Sequence, residues 1–150
     1  MISTKIIVPG QAEGVVLKLQ APLSFWGGVN PKTGVIIQAD HPDCGTSITN
    51  TILALPGLIG SSSSSAILLE LLYKEIAPKA ILMAEVDAIL ALGDLVAKEM
   101  GYPTISILQT PIDPLVTGLT VVIDNQGILK FQDNAFKAFS CSVGSPTAIT

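Results

Sequence analysis

Between Ile48 and Leu108 the spacing of the apolar residues changes character four times, and this alternation restricts the fold more than any other feature of the chain. Ile48 to Leu55 is a compact apolar run that ends at Pro56-Gly57, as a buried strand would. Ile67, Leu68, Leu71, Leu72 and Ile76 then recur at three- and four-residue intervals, the apolar face of a helix that Pro78 stops. Ala80 to Ala84 is too short for a helix and is expected as a second buried strand. Asp87 offers an N-cap to a second helix, with Ile89, Leu90, Leu92, Leu95, Val96 and Met100 on its apolar side and Gly101 at its end. Thr104 to Leu108 follows Pro103 as a third strand. Strand, helix, strand, helix, strand is a parallel βαβαβ unit. On the flanks, Lys5 to Val8, Glu13 to Leu19, Val35 to Gln38, and the pair Leu119 to Asp124 and Gly127 to Phe131 around Asn125-Gln126 are expected as strands, the last two forming a hairpin. The expected fold is therefore α/β: a mixed sheet or closed β-barrel flanked by helices, one domain over residues 1–150, with a frayed tail from about residue 140.

Composition narrows the function. Apolar residues make up 49% of the chain and charged residues 13%, which is too apolar for disorder and poor in charge for a free surface. The deficit points to surface covered by a partner. There are eight lysines, no arginine and a net charge of -4, so neither a basic stripe for nucleic acid nor a bidentate guanidinium clamp is present. Residues 45–69 carry no charge, but Pro56, Gly57, Gly60 and the serines break the run too often for a membrane span. The N-terminal stretch MISTKIIVPG has no signal-peptide pattern, so a reducing cytoplasm is expected, with Cys44 and Cys141 as free thiols.

The stretch GSSSSS, residues 60–65, lies between the first strand and first helix of the central unit. Roughly five to ten connecting residues are an ordinary strand-to-helix loop rather than a linker between domains. The serines thus sit at a helix N-terminus, where orphan N–H groups and the positive end of the helix dipole favour an anion. Gly60 permits close approach of a ligand to the backbone. Capping alone is the competing explanation, although five serines exceed what a cap requires. No Gly-Lys-Ser follows the glycine, and no GxSxG elbow is present, so phosphate-loop and serine-hydrolase chemistry are not indicated.

Gly60-Ser61-Ser62 opening a helix resembles the Gly-Ser-Ser loop of aconitase swivelling domains. With AEGVVLKLQAPLSFWGGVNPKTG (12–34), GSSSSSAILLELL (60–72), APKAILMAEVDAILALGDLVA (77–97) and GYPTISI (101–107), the chain is similar to the small-subunit branch of the aconitase X family over nearly its whole length. The resemblance implies a β/β/α swivelling domain that works with a separate large subunit. In that family the large subunit holds an iron–sulfur cluster and most substrate contacts; none of the cluster would be bound by this chain, which carries no metal of its own. It implies a serine that takes a proton from carbon while the cluster assists loss of a hydroxyl. By position that serine is Ser61, with Ser65 the second choice; Gly60, Ser62, Phe25 and Trp26 are expected to touch substrate. Two activities follow from the resemblance: dehydration of cis-3-hydroxy-L-proline, which the serine run and DAILALGDLVA favour, or of mevalonate 5-phosphate. The substrate in either case is a small hydroxy acid. One departure is visible: Leu58-Ile59 stand where an arginine often precedes the loop glycine, which removes a carboxylate clamp from the loop. A non-catalytic scaffold subunit, whose serines only cap a helix, is the alternative of another class.

The remaining candidates have plainer explanations. His41-Pro42-Asp43-Cys44 has the composition of a metal site but too few ligands for a closed one, and is expected as a polar turn. Phe25-Trp26-Gly27-Gly28 serves either as core and turn or as a surface that lines the site and meets the large subunit. Asp87 is an N-cap before it is an acid catalyst. Asp113 sits in a loop between Ile112 and Pro114, and nothing in the sequence selects it.

Overall fold

The computed structural model describes residues 1–59, 63–85 and 88–132. Gly60, Ser61, Ser62, Asp87, Cys141 and the expected tail lie outside the described residues. The strands are β1 (Ile2–Ser3), β2 (Lys5–Val8), β3 (Ala12–Lys18), β4 (Ile52–Leu55), β5 (Ala80–Met83), β6 (Ser106–Gln109), β7 (Thr120–Ile123) and β8 (Ile128–Gln132). Between them lie a single irregular turn, α1 (Phe25–Gly28), and two regular helices, α2 (Ser64–Tyr73) and α3 (Ala88–Glu99). One mixed sheet runs in the order β1-β8-β7-β3-β4-β5-β6-β2. Its centre, β3-β4-β5-β6, is parallel, with Ile52, Leu53, Ala54 and Leu55 opposite Ala80, Ile81, Leu82 and Met83. The remaining pairings are antiparallel.

The sheet nearly closes into a barrel. β1 and β2 occupy its two edges, yet they are consecutive pieces of one extended segment parted only at Thr4. Thr4 donates both its N–H (3.2 Å) and its Oγ1–H (2.7 Å) to the Gly127 carbonyl, so the chain leaves β8 and crosses to β6 within one residue. Gly127 has φ +77°, and a side chain there would collide with Ile6 and Thr4, which only glycine avoids. A barrel without free edges removes the unpaired backbone that open sheets expose.

Alternation along the central strands divides the core in two. Ile52, Ala54, Ala80, Leu82 and Leu108 face inward onto Val121, Ile123 and Leu129 of the antiparallel half. Leu53, Leu55, Ile81, Met83 and Ile107 face outward under Leu68, Leu71 and Leu72 of α2 and Leu90 and Ala97 of α3. The parallel strands are covered on both faces and their sequences are accordingly apolar throughout. No described helix is long and apolar enough to cross a membrane.

Several expectations need adjustment. Val35 to Gln38 is not a ladder strand: Val35 and Ile36 form only isolated bridges, to Ser47 and Val29. Such a short crossing cannot build a ladder, because the chain turns back at Gly34 and Gly45. The first strand of the central unit starts at Ile52 rather than Ile48, and the following helix begins at Ser64, three residues before the apolar spacing does. That helix ends ahead of Pro78, where Glu75 (φ 60°) lets the Glu75 and Ile76 N–H groups donate to the Leu72 and Leu71 carbonyls.

Asp94 is the exception to this apolar packing. It is only 1% exposed on α3; Oδ1 accepts the Ile105 N–H at 2.9 Å and Oδ2 has no partner among the described residues. Burial raises its pKa from 3.8 to about 6, against the lowering effect of the Ile105 hydrogen bond. The folded state therefore holds this proton more tightly than the unfolded chain. Stability from this group is full below about pH 4 and is lost as pH rises to about 6. Asp94→Asn keeps an acceptor for Ile105 and should remove that decline, with a gain at pH 8 of up to about 3 kcal/mol. Urea unfolding of both proteins at pH 4 and pH 8 measures it; equal pH dependence in the two would contradict the assignment.

Candidate functional site

The parallel strands all end at one rim of the barrel, and the chain continues to pair beyond them. Leu19 N–H donates to the Ala54 carbonyl, Leu23 N–H to that of Gly57 and Ile59 N–H to that of Leu23, so residues 19–23 run beside 54–59. On the other side Ala84 and Glu85 donate to the carbonyls of Leu55 and Pro56. Three loops are thus laid side by side: one leading into Ser24-Phe25-Trp26, one leading into the serine run, and one leading toward α3. The open end of an α/β sheet beyond its strand carboxyl ends is where such proteins bind ligands.

α2 opens from the serine run. Ser63 is its N-cap residue, in right-handed helical conformation and without a side-chain capping hydrogen bond; its carbonyl accepts the N–H groups of Ala66 and Ile67. Ser64 is 2% exposed and fills core space, which removes it from contact with substrate. Ser65 is partly exposed, at the edge of a groove between the helices lined by Ala66, Leu69, Leu92, Gly93 and Val96. The ten-residue helix presents its positive end to this rim. Gly60, Ser61 and Ser62 fall just before it, outside the described residues.

Phe25 and Trp26 divide the two roles that the sequence left open. Phe25 is fully buried in the outer core, so it anchors the loop instead of touching substrate as expected. Trp26 is 57% exposed on the same turn, one residue beyond the anchor. The turn is held by the Ser24 hydroxyl donating to the Trp26 carbonyl at 2.7 Å and by the Ser24 N–H donating to Gln38 Oε1 at 3.2 Å.

The polar turn at 41–44 braces that loop from behind. His41 is buried; its Nδ1 accepts the Asp43 N–H at 3.0 Å, so Nε2 carries the proton and donates to the Ala21 carbonyl at 3.1 Å. Asp43 in turn accepts the Gln20 N–H at 2.9 Å and a contact from its amide at 3.4 Å. Both imidazole nitrogens are committed to the fold, which excludes His41 as a metal ligand. Cys44 is exposed. Among the described residues no three His, Cys, Asp or Glu side chains converge as metal ligands. The donor set of an iron–sulfur cluster is therefore not formed by them.

A family model, Aconitase X swivel domain, matches residues 1–131. The chain belongs to this family. A crystal structure of Thermococcus kodakaraensis aconitase X in its holo form superposes with a TM-score of 0.79 at 33% identity, over 87% of this chain and 97% of that one. Among curated relatives, a cis-3-hydroxy-L-proline dehydratase of Pseudomonas aeruginosa is 44% identical over 100 residues, 67% of this chain. A phosphomevalonate dehydratase small subunit of Thermococcus onnurineus is 42% identical over 128 residues, 85% of this chain and 95% of that one. The match covers only 17% of the length of the Pseudomonas protein, but nearly the whole of the Thermococcus subunit.

Two features of the rim were not legible in the sequence. Pairing of Leu23 with Leu58 joins the loop that leads into SFWGG to the loop that leaves β4, a contact between positions 35 apart. Gly93, within the DAILALG motif, is where α3 touches the backbone of Ser65. The braces around Trp26 yield a contrast. Trp26→Ala should leave the melting temperature within about 2 °C, because the ring is not in the core. His41→Ala leaves the Ala21 carbonyl and Asp43 N–H without partners and should cost about 1–3 kcal/mol. Thermal melts of both variants decide between brace and surface; a Trp26→Ala variant that unfolds would return the ring to the core.

Proposed function

We propose that this chain is the small, swivelling subunit of an aconitase X-type hydro-lyase working in the cytoplasm, and that it dehydrates cis-3-hydroxy-L-proline together with a large subunit. The observation that carries this is a swivel-domain fold in which the loop leading into the Trp26 turn pairs with the loop leaving β4, at the rim where α2 begins. The names of the two curated relatives above, a dehydratase and a dehydratase small subunit, support it. In the proposed step Ser61, as alkoxide, takes the proton from the α-carbon of the substrate. The freed electron pair forms the ring double bond as the C3–O bond breaks. The 3-hydroxyl departs as hydroxide and becomes water by taking a proton from an acid in the large subunit or from solvent, and tautomerisation gives pyrroline-2-carboxylate. Ser65 takes this role if Ser61 does not. Gly60, Ser62 and Trp26 would border the substrate.

Energetics assign the rest to a partner. Bringing a serine hydroxyl into range near neutrality requires roughly six pKa units, about 8 kcal/mol. The α2 N-terminus contributes about 0.3–2 kcal/mol. A cation and exclusion of water on closure must supply the remainder. This chain has no arginine, and its described residues form no cluster-binding set, so departure of the hydroxyl is assigned to the large subunit. A surface for that subunit is at hand: Ile89, Leu92, Leu95 and Val96 are exposed on α3 and Met100 directly after it, an apolar stripe interrupted only by the exposed Lys98 and Glu99 at its end.

The coverage of the relatives favours a second substrate. The chain matches separate phosphomevalonate dehydratase small subunits over 86–95% of their length, and mevalonate 5-phosphate is the alternative. Co-expression with its large subunit, then assay of both compounds, separates the two. The purified chain alone is expected to be inactive. In the complex, Ser61→Ala should lower kcat by about 10²–10⁴-fold with KM nearly unchanged. Ser63→Ala, at an N-cap position without a side-chain capping bond, should leave kcat within about twofold. Small, equal effects at the two positions would mean that the run caps a helix and the base lies in the partner.

A further inference from the structure

Gly93 and Asp94 are adjacent on α3, and each makes a contact that the proposed mechanism does not use. An ideal Cβ on Gly93 would lie 2.5 Å from the Ser65 carbonyl oxygen and 3.2 Å from both the Ser65 carbonyl carbon and Cα. These are backbone atoms of the first turn of α2, so no side-chain rotation relieves the overlap. Any residue larger than glycine must push α2 and α3 apart at the point where the serine run enters the helix. Ser64, the residue before Ser65, is buried, which limits where that turn can move. Asp94 supplies the fixed reference. Its Oδ1 accepts the buried N–H of Ile105, one residue before β6, and so sets the rotation of α3 against the sheet. With α3 held to β6 at position 94, position 93 faces Ser65. The chain of contacts runs from the sheet, through Asp94 and Gly93, to the serine run.

We propose that Gly93 and Asp94 are positioning residues for the serine run: Asp94 pins α3 to the sheet, and Gly93 brings α3 against Ser65 so that the start of α2 has one height above the rim. This rests on the serine run being catalytic. Neither residue touches substrate. A misplacement of about 1 Å can reduce turnover on the order of a hundredfold, while binding contributed by a partner is kept.

The test uses the assembled small and large subunits and, in parallel, the full-length chain alone. In the complex, Gly93→Ala should lower kcat at least tenfold with KM within about twofold and with the complex intact. Asp94→Asn, which keeps an acceptor for Ile105, should retain kcat within about twofold, whereas Asp94→Ala should lose at least fivefold. In the chain alone, amide hydrogen exchange at residues 63–67 should quicken in Gly93→Ala and Asp94→Ala but not in Asp94→Asn. Wild-type kcat in Gly93→Ala would overturn the proposal. Should that variant fail to fold, equal kcat in Asp94→Ala and Asp94→Asn would overturn it instead. If the wild-type complex turns over neither substrate, the functional reading fails on its own, and unchanged exchange at 63–67 would then overturn the positioning role independently.

Discussion

The arrangement depends on β4 being buried on both faces. Ile52 and Ala54 fill the barrel interior, Leu53 and Leu55 lie under the helices, and none of the four is exposed to solvent. Each large side chain contributes about 1.5–3 kcal/mol through burial, so the strand has little freedom to slide. A one-residue slip would exchange the two sets of side chains between cores of different shape. With the strand fixed, its carboxyl end can only open at the rim, and the serine run follows there.

Neighbouring strands turn that fixed point into a site. Because β3 and β5 are parallel to β4, their following loops emerge at the same rim, and backbone pairing past the strand ends keeps them in contact. The His41–Asp43 turn holds the root of the first loop through Gln20 and Ala21, and buried Phe25 holds its tip. Trp26 is left facing outward. Ser65, in the first turn of α2, is held from the side by α3 at Gly93. Barrel closure at Thr4 and Gly127 places no catalytic group, yet it joins the antiparallel half, which fills the inner core behind β4. The resulting division is between a close-packed barrel and a rim of paired loops.

The central unit was legible because a two-sided strand and a one-sided helix leave different spacings of apolar residues. Ala80 to Met83 and the β7–β8 hairpin at Asn125-Gln126 were readable in this way. The helix after Asp87 was found but its inward face was not: of the expected apolar side only Leu90 is buried, and Ile89, Leu92, Leu95, Val96 and Met100 are exposed. Besides Leu90, α3 packs through Ala91, Gly93, Asp94 and Ala97, small or polar residues that apolar spacing does not report. Helix α2 was read three residues short because Ser64 and Ser65 are helical but polar, so spacing does not report them. Ile2–Ser3 was missed: two residues carry no periodicity, and their pairing with β8 is set by the barrel. Val35 to Gln38 has strand-like residues, yet glycine turns on both sides leave no room for a ladder. At the rim, the serines and the Trp26 loop were found as separate motifs, by composition and family resemblance. The pairing of Leu23 with Leu58 between the loops that lead to them, and the contact of Gly93 with Ser65, exist only in the folded chain. Phe25 and Trp26 are consecutive, and sequence alone did not tell which of them turns inward.

The central claim is that a serine of this chain removes the proton that begins dehydration. The direct measurement is exchange of the substrate α-hydrogen for deuterium, followed by NMR in heavy water with the assembled subunits. The account predicts exchange in the wild-type complex and its disappearance in Ser61→Ala, with assembly and substrate binding retained; disappearance in Ser65→Ala instead would keep the mechanism and move the residue. Undiminished exchange in both variants would contradict the account and assign the base to the partner.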